Sequence, residues 1–78
     1  MNFAIIGCGL IGQKRAKSLS KNRLLYACDV DFKRAEVLSN QYNGCIATSD
    51  INIICDDITV NAAIVSVSTI NYIQLRYN

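Results

Sequence analysis

The sequence predicts an α/β fold, part of a doubly wound sheet of about four parallel strands in the order 3-2-1-4 with helices on both faces. Three observations carry that reading. Short apolar runs alternate with helical stretches along the whole chain. The first run opens directly into Gly7-Cys8-Gly9-Leu10-Ile11-Gly12. The second ends in an acid, Asp29, which lies 22 residues after Gly7. Strand–helix alternation implies right-handed crossovers between parallel strands. Strands covered on both faces are apolar throughout and do not alternate.

The elements follow in order. Asn2–Ile6 is a compact apolar run closed by Gly7 and reads as a buried strand. A helix is expected from Leu10 to about Ser20, with Gly12, Ala16 and Leu19 on one face and Gln13, Lys14, Lys17 and Lys21 mostly on the other. Leu24–Cys28 is the second strand. Asp31 is placed to cap a helix over Phe32–Tyr42, whose apolar stripe is Phe32, Ala35, Leu38 and Tyr42. Asn43-Gly44 stops that helix, with Gly44 in the left-handed region. Cys45–Ala47 is a short third strand. Ser49 or Asp50 caps a brief helix through Cys55, with Ile51 and Ile54 turned inward. Ala62–Val67, rich in β-branched residues, is the fourth strand. Asn71–Asn78 reads as the opening turns of a further helix, which would leave the fourth strand as an unpaired, unguarded edge open to self-association.

Seventy-eight residues allow one small domain, read here as residues 1–78 of a dinucleotide-binding domain. A chain that is 51% hydrophobic and 18% charged belongs with globular proteins. Its net charge of +2, with eight basic residues interleaved among six acids, gives no basis for binding nucleic acid or an anionic membrane. No apolar run is long enough to span a bilayer. The four cysteines form no Cys-x-x-Cys pair, and the sequence has no histidine, so no zinc site is expected. No secretory pattern precedes them. They read as reduced, small apolar side chains in a cytoplasmic protein.

The glycine motif carries the chemistry. Gly7 allows a tight turn out of the first strand. Gly9, lacking Cβ, lets backbone approach a pyrophosphate, and Gly12 lets the helix pack close to the sheet. The helix N-terminus then offers free N–H groups to phosphate. The motif alone is weak, but here a strand leads into it, a helix begins within it, and an acid closes the next strand. Asp29 is suited to accept hydrogen bonds from the adenosine ribose and to repel the 2′-phosphate of NADP. NAD is the expected cofactor. Lys33 and Arg34, just beyond, leave NADP open, although both read more simply as exposed helix charges. Cys8 lies near a helix N-terminus, where a thiol pKa can fall, but it reads better as a small residue that fits. Tyr26, Tyr42, Tyr72 and Tyr77 read as packing residues. The Asp56-Asp57 pair reads as a solvated helix end and not as a metal site. No acid–base machinery is visible.

The run from Ala4 to Lys17 resembles the opening of the glucose–fructose oxidoreductase / inositol dehydrogenase (Gfo/Idh/MocA) family. Tyr26–Asp31 followed by Lys33–Glu36 is similar to that family's second strand and helix. Asn61–Val67 is similar to its fourth strand, which usually leads into Thr-Pro-Asn-x-x-His. The resemblance implies that Gly7, Gly9, Leu10, Ile11 and Gly12 contact the pyrophosphate and that Asp29 holds the ribose. It also implies that Ser66, Val67, Ser68, Thr69 and Asn71 line the nicotinamide side. Complete members carry a substrate domain for a sugar or cyclitol, and a Glu-Lys-Pro segment whose lysine moves a proton at the substrate hydroxyl. Neither is in this sequence. Ile70 stands where the family usually has Pro, and Gln74 where it usually has His. The expected function is therefore the cofactor-binding part of an NAD(P)-dependent oxidoreductase, with no catalytic residue of its own. A stand-alone nucleotide-binding or sensing module, or a non-functional gene fragment, are the alternatives.

Overall fold

The computed structural model describes residues 1–66 and 73–74. Five strands form one sheet in the order β3-β2-β1-β4-β5. These are β1 (Asn2–Ile6), β2 (Arg23–Cys28), β3 (Ile46–Thr48), β4 (Ala62–Val65) and β5 (Ile73–Gln74). The first four are parallel, in the expected order. Three helices connect them: α1 (Leu10–Lys17), α2 (Phe32–Ser39) and α3 (Ile51–Asp56).

Both faces of the sheet are covered. Phe3, Ile5, Leu24, Ala27, Ala62 and Ile64 pack with Ala16 and Leu19 from the α1 side and with Ala35 and Leu38 of α2. Ala4, Tyr26, Cys28 and Ala63 form a second core with Ile54 of α3 and Val60. The alternation within β2 is broken once. The β1–β2 register jumps from Phe3↔Leu24 to Ala4↔Tyr26, leaving Leu25 as an extra residue. That bulge is why Leu24 and Ala27, three apart, share one face while Tyr26 and Cys28 take the other.

Local chemistry sets the helix boundaries. Asp31 accepts from the Lys33 N–H at 3.1 Å and Asp50 from the Asn52 N–H at 2.9 Å, so each starts its helix as an N-cap. Both α1 and α2 end earlier than their periodicity suggests. Ser18 and Asn40 close them with backbone bonds onto the preceding turn, and a Ser18 Oγ bond to the Arg15 carbonyl competes with further winding. Gly44 adopts φ +77° as expected.

Three expectations are corrected. The fourth strand is not an unpaired edge, because β5 pairs antiparallel with it, Ala62↔Gln74 and Ala63↔Ile73. Ile73 and Gln74 are accordingly strand and not helix; the rest of the expected helix, like Val67 of the fourth strand, lies outside the described residues. Ile51 and Phe32 do not turn into the core. Each stands in the first turn of its helix, at the C-terminal end of the strands, and is about half exposed, while Ile54, Ala35 and Leu38 are fully buried.

Candidate functional site

The site forms where β1 ends. The Gly7 N–H donates to the Cys28 carbonyl at 2.8 Å and the Ser66 N–H to the Ile6 carbonyl at 2.8 Å, so the ends of β2, β1 and β4 are held side by side. Gly7 then turns with φ +96°, a left-handed conformation that side chains rarely adopt. Gly9 is the N-cap of α1 and has no side chain to cap it. The first N–H groups of α1 have no partner within the helix and carry its positive dipole end. Gly12 lies against the turn: a Cβ there would stand 2.0 Å from the Gly7 carbonyl oxygen. A Cβ at Gly9 would meet nothing within 4 Å, so space above the loop is open to a phosphate. Leu10 and Ile11 are exposed beside it.

Asp29 is buried at the end of β2, and both its carboxylate oxygens are engaged. Oδ2 accepts the Cys8 N–H at 2.8 Å and Oδ1 the Asp31 N–H at 2.9 Å. Each oxygen keeps a second acceptor direction for a ribose hydroxyl. A cleft of about 470 Å³ opens beside it, lined among others by Gly7, Asp29, Val30, Arg34, Ile51 and Ser66. Ile51 faces this cleft, which accounts for its exposure. The Ser66 hydroxyl is buried and has no hydrogen-bond partner among the described residues. A buried hydroxyl in that condition is a group a ligand or water would satisfy. A smaller cleft of about 170 Å³ lies between the phosphate loop and α2, lined by Cys8, Gln13, Lys33, Arg34 and Val37.

The Cys8 thiol donates to the Cys28 carbonyl at 3.3 Å. Burial, and then the Asp29 carboxylate, push its pKa up to about 12. The helix end does not lower it, and Cys8 is a packed, neutral thiol. Asp57 is not a merely solvated residue either. It accepts the Tyr26 hydroxyl at 2.6 Å and the Thr59 N–H at 2.9 Å, tying β2 to the loop before β4. That bond, and then burial, raise the Tyr26 pKa.

The structure thus brings together Gly7, Gly9, Leu10, Ile11, Gly12, Asp29 and Ser66. Val67, Ser68, Thr69 and Asn71 lie outside the described residues. Sequence reasoning passed over Val30, Ser49 and Ile51 as cleft residues. Their signal was positional: all follow the C-terminal ends of strands, where open α/β sheets take their ligands.

A parallel sheet in the order 3-2-1-4, with a glycine-rich turn opening the first helix, defines a dinucleotide-binding α/β protein. The chain belongs to the Gfo/Idh/MocA family, described as an oxidoreductase family with an NAD-binding Rossmann fold, which matches residues 1–77. No protein of curated function matches it significantly in sequence. Among solved structures it is similar to GenD2 of gentamicin A biosynthesis in complex with NAD, with 21% identity, a TM-score of 0.79, and coverage of 86% of this chain and 20% of that one. A Sinorhizobium meliloti 1021 protein provisionally assigned as a myo-inositol dehydrogenase is 26% identical, with a TM-score of 0.77 and coverage of 88% and 21%. The Lactobacillus casei myo-inositol dehydrogenase, in complex with NAD(H) and myo-inositol, is 21% identical, with a TM-score of 0.75 and coverage of 88% and 22%. The chain therefore spans about a fifth of the length of these structures. No helix among its described residues is long and apolar enough to cross a membrane.

Proposed function

We propose that this chain is the NAD-binding part of an oxidoreductase that acts on a sugar or cyclitol hydroxyl, and that its own residues bind and orient the dinucleotide. One observation carries the reading: the loop from Gly7 to Gly12 is folded with an open face over Gly9, at the N-terminus of α1 and beside Asp29. The backbone N–H groups of Gly9, Leu10 and Ile11 hold the pyrophosphate, Asp29 the adenosine ribose, and Val30 and Ile51 flank the adenine. Ser66 leads toward the nicotinamide side, with Val67, Ser68, Thr69 and Asn71 assigned there by family resemblance. When bound, NAD supplies hydride acceptance. No Glu-Lys-Pro segment occurs in these 78 residues, and none of them is assigned to proton transfer at the substrate. The sugar or cyclitol substrate is supported by the inositol dehydrogenases among the similar structures. NAD is preferred over NADP because Asp29 repels a 2′-phosphate, while Lys33 and Arg34 are the groups that would offset it. The free thiols support a reducing, cytoplasmic setting.

The described site covers the adenosine and pyrophosphate alone, and we expect it to hold NAD with a Kd of roughly millimolar and NADP more weakly. An NMR titration of the labelled chain checks this, with shifts concentrated at residues 7–12, Asp29 and Val30. Shifts confined elsewhere, or none at tens of millimolar, would reject the reading. A second reading, a nucleotide-binding module without catalysis, is favoured by the pairing of β5 with β4, which lets the chain guard its own sheet edge.

A further inference from the structure

The turn after β1 has little to hold its shape. Gly7 and Gly9 carry no side chain, and glycine backbone loses more conformational freedom on ordering than that of any other residue. Among the described residues, three hydrogen bonds tie Gly7 and Cys8 to the end of β2. The Gly7 N–H and the Cys8 thiol both reach the Cys28 carbonyl, and the Cys8 N–H reaches Asp29 Oδ2. Only the last is charge-assisted, and it is buried, which makes it the strongest of the three.

Asp29 is itself fixed from two other sides. Its N–H donates to the Thr48 carbonyl of β3 at 3.2 Å, and its Oδ1 accepts the N–H of Asp31, the N-cap of α2. One side chain therefore links the phosphate loop to the β2–α2 turn, while its backbone is anchored on the third strand. Its placement has an electrostatic oddity: a carboxylate stands directly behind a loop built to receive an anion. A ribose contact alone would not require the Cys8 N–H to be spent on it.

We propose that Asp29 is a positioning residue for the phosphate loop. Its carboxylate fixes the Cys8 peptide plane, and with it the direction of the N–H groups that follow at Gly9–Ile11, independently of any contact with the ribose. The inference rests on the dinucleotide reading and adds a second role to the acid assigned to the ribose. It also makes Asp29→Asn a non-conservative change. Two N–H groups converge on the carboxylate from opposite sides, and an amide can accept only on its one oxygen, leaving an NH₂ facing an N–H.

The test compares the wild-type chain with Asp29→Asn, using NAD, ADP and 2′,3′-dideoxyadenosine 5′-diphosphate, which lacks both ribose hydroxyls. The expected result is a loss of about tenfold or more for all three ligands in the variant, with an unchanged circular-dichroism spectrum. If the variant loses NAD and ADP but binds the dideoxy ligand as the wild type does, the ribose contact explains everything and the positioning role is overturned. A wild-type chain that binds none of the three would instead overturn the dinucleotide reading and this proposal with it. If the variant does not fold, the wild type decides. A through-hydrogen-bond coupling between Cys8 ¹⁵N and Asp29 ¹³Cγ, retained in the dideoxy complex, supports the role; its absence refutes it.

Discussion

A methyl group added at Gly12 and one added at Gly9 meet opposite surroundings. At Gly12 it would stand 2.0 Å from the Gly7 carbonyl oxygen and 3.3 Å from Ile5 Cγ2, so backbone must move. Gly12→Ala should lower stability by about 1–3 kcal/mol, read as a drop in Tm of several degrees for a domain of this size. At Gly9 the methyl group enters open space, on a backbone whose φ of −73° any residue tolerates. Gly9→Ala should therefore melt as late as the wild type, or later by roughly 0.4–1 kcal/mol, yet bind NAD poorly because the methyl group occupies the pyrophosphate's place. Paired melts and titrations separate the two. A Gly9→Ala chain with full NAD affinity would show that the phosphates do not cross Gly9. The glycines were legible in the sequence because each absent side chain follows from a requirement of the turn. The double hydrogen bond of Asp29 was not, because the Cys8 and Asp31 N–H groups that it accepts are present at every non-proline residue and leave no mark in side-chain identity.

At the scale of elements, β5 makes the sharpest testable difference. Its two residues pair with Ala62 and Ala63, the buried start of a wholly apolar strand. Removing the chain from Ile73 onward should expose that edge and promote association at micromolar concentration, whereas the full chain should stay monomeric. Sedimentation of both forms checks this, and equal behaviour would mean that β5 does not guard the sheet. The first and fourth strands were legible because parallel strands buried on both faces are apolar almost throughout, as Phe3–Ile6 and Ala62–Val65 are. The helix starts were legible because Asp31 and Asp50 are caps. Ile73-Gln74 pairs through its backbone, and two residues carry no period long enough to tell strand from helix. The bulge at Leu25 and the outward turn of Ile51 were hidden for a related reason. Each depends on where the neighbouring strand or cleft lies, which the local pattern does not encode.

Across the whole molecule, three thiols sit where ionisation is opposed. Burial raises Cys45 to about 11, and burial followed by the Asp29 carboxylate raises Cys8 to about 12 and also lifts Cys28. Unfolded, each would titrate near its ordinary value of 9.0. Below pH 9 the thiols are protonated in both states, and the stability linked to them is fully present. Above pH 9 the unfolded chain releases protons that the folded chain retains. Stability therefore falls as pH rises, and goes on falling toward the folded values of about 11 and about 12. Each thiol ionised only in the unfolded state steepens the decline by up to about 1.4 kcal/mol per pH unit. Denaturant titrations between pH 7 and 10.5, under reducing conditions, should give a plateau to about pH 8.5 and a decline beyond it. Tyr26, whose pKa is also raised, adds to the decline only at the upper end, because its ordinary value is 10.0. The Cys8→Ala chain isolates one contribution, since its slope above pH 9 should be shallower whatever its absolute stability. An identical slope in that variant would mean that the Cys8 thiol ionises as readily in the folded chain as in the unfolded one, and would overturn its placement as a buried thiol beside Asp29.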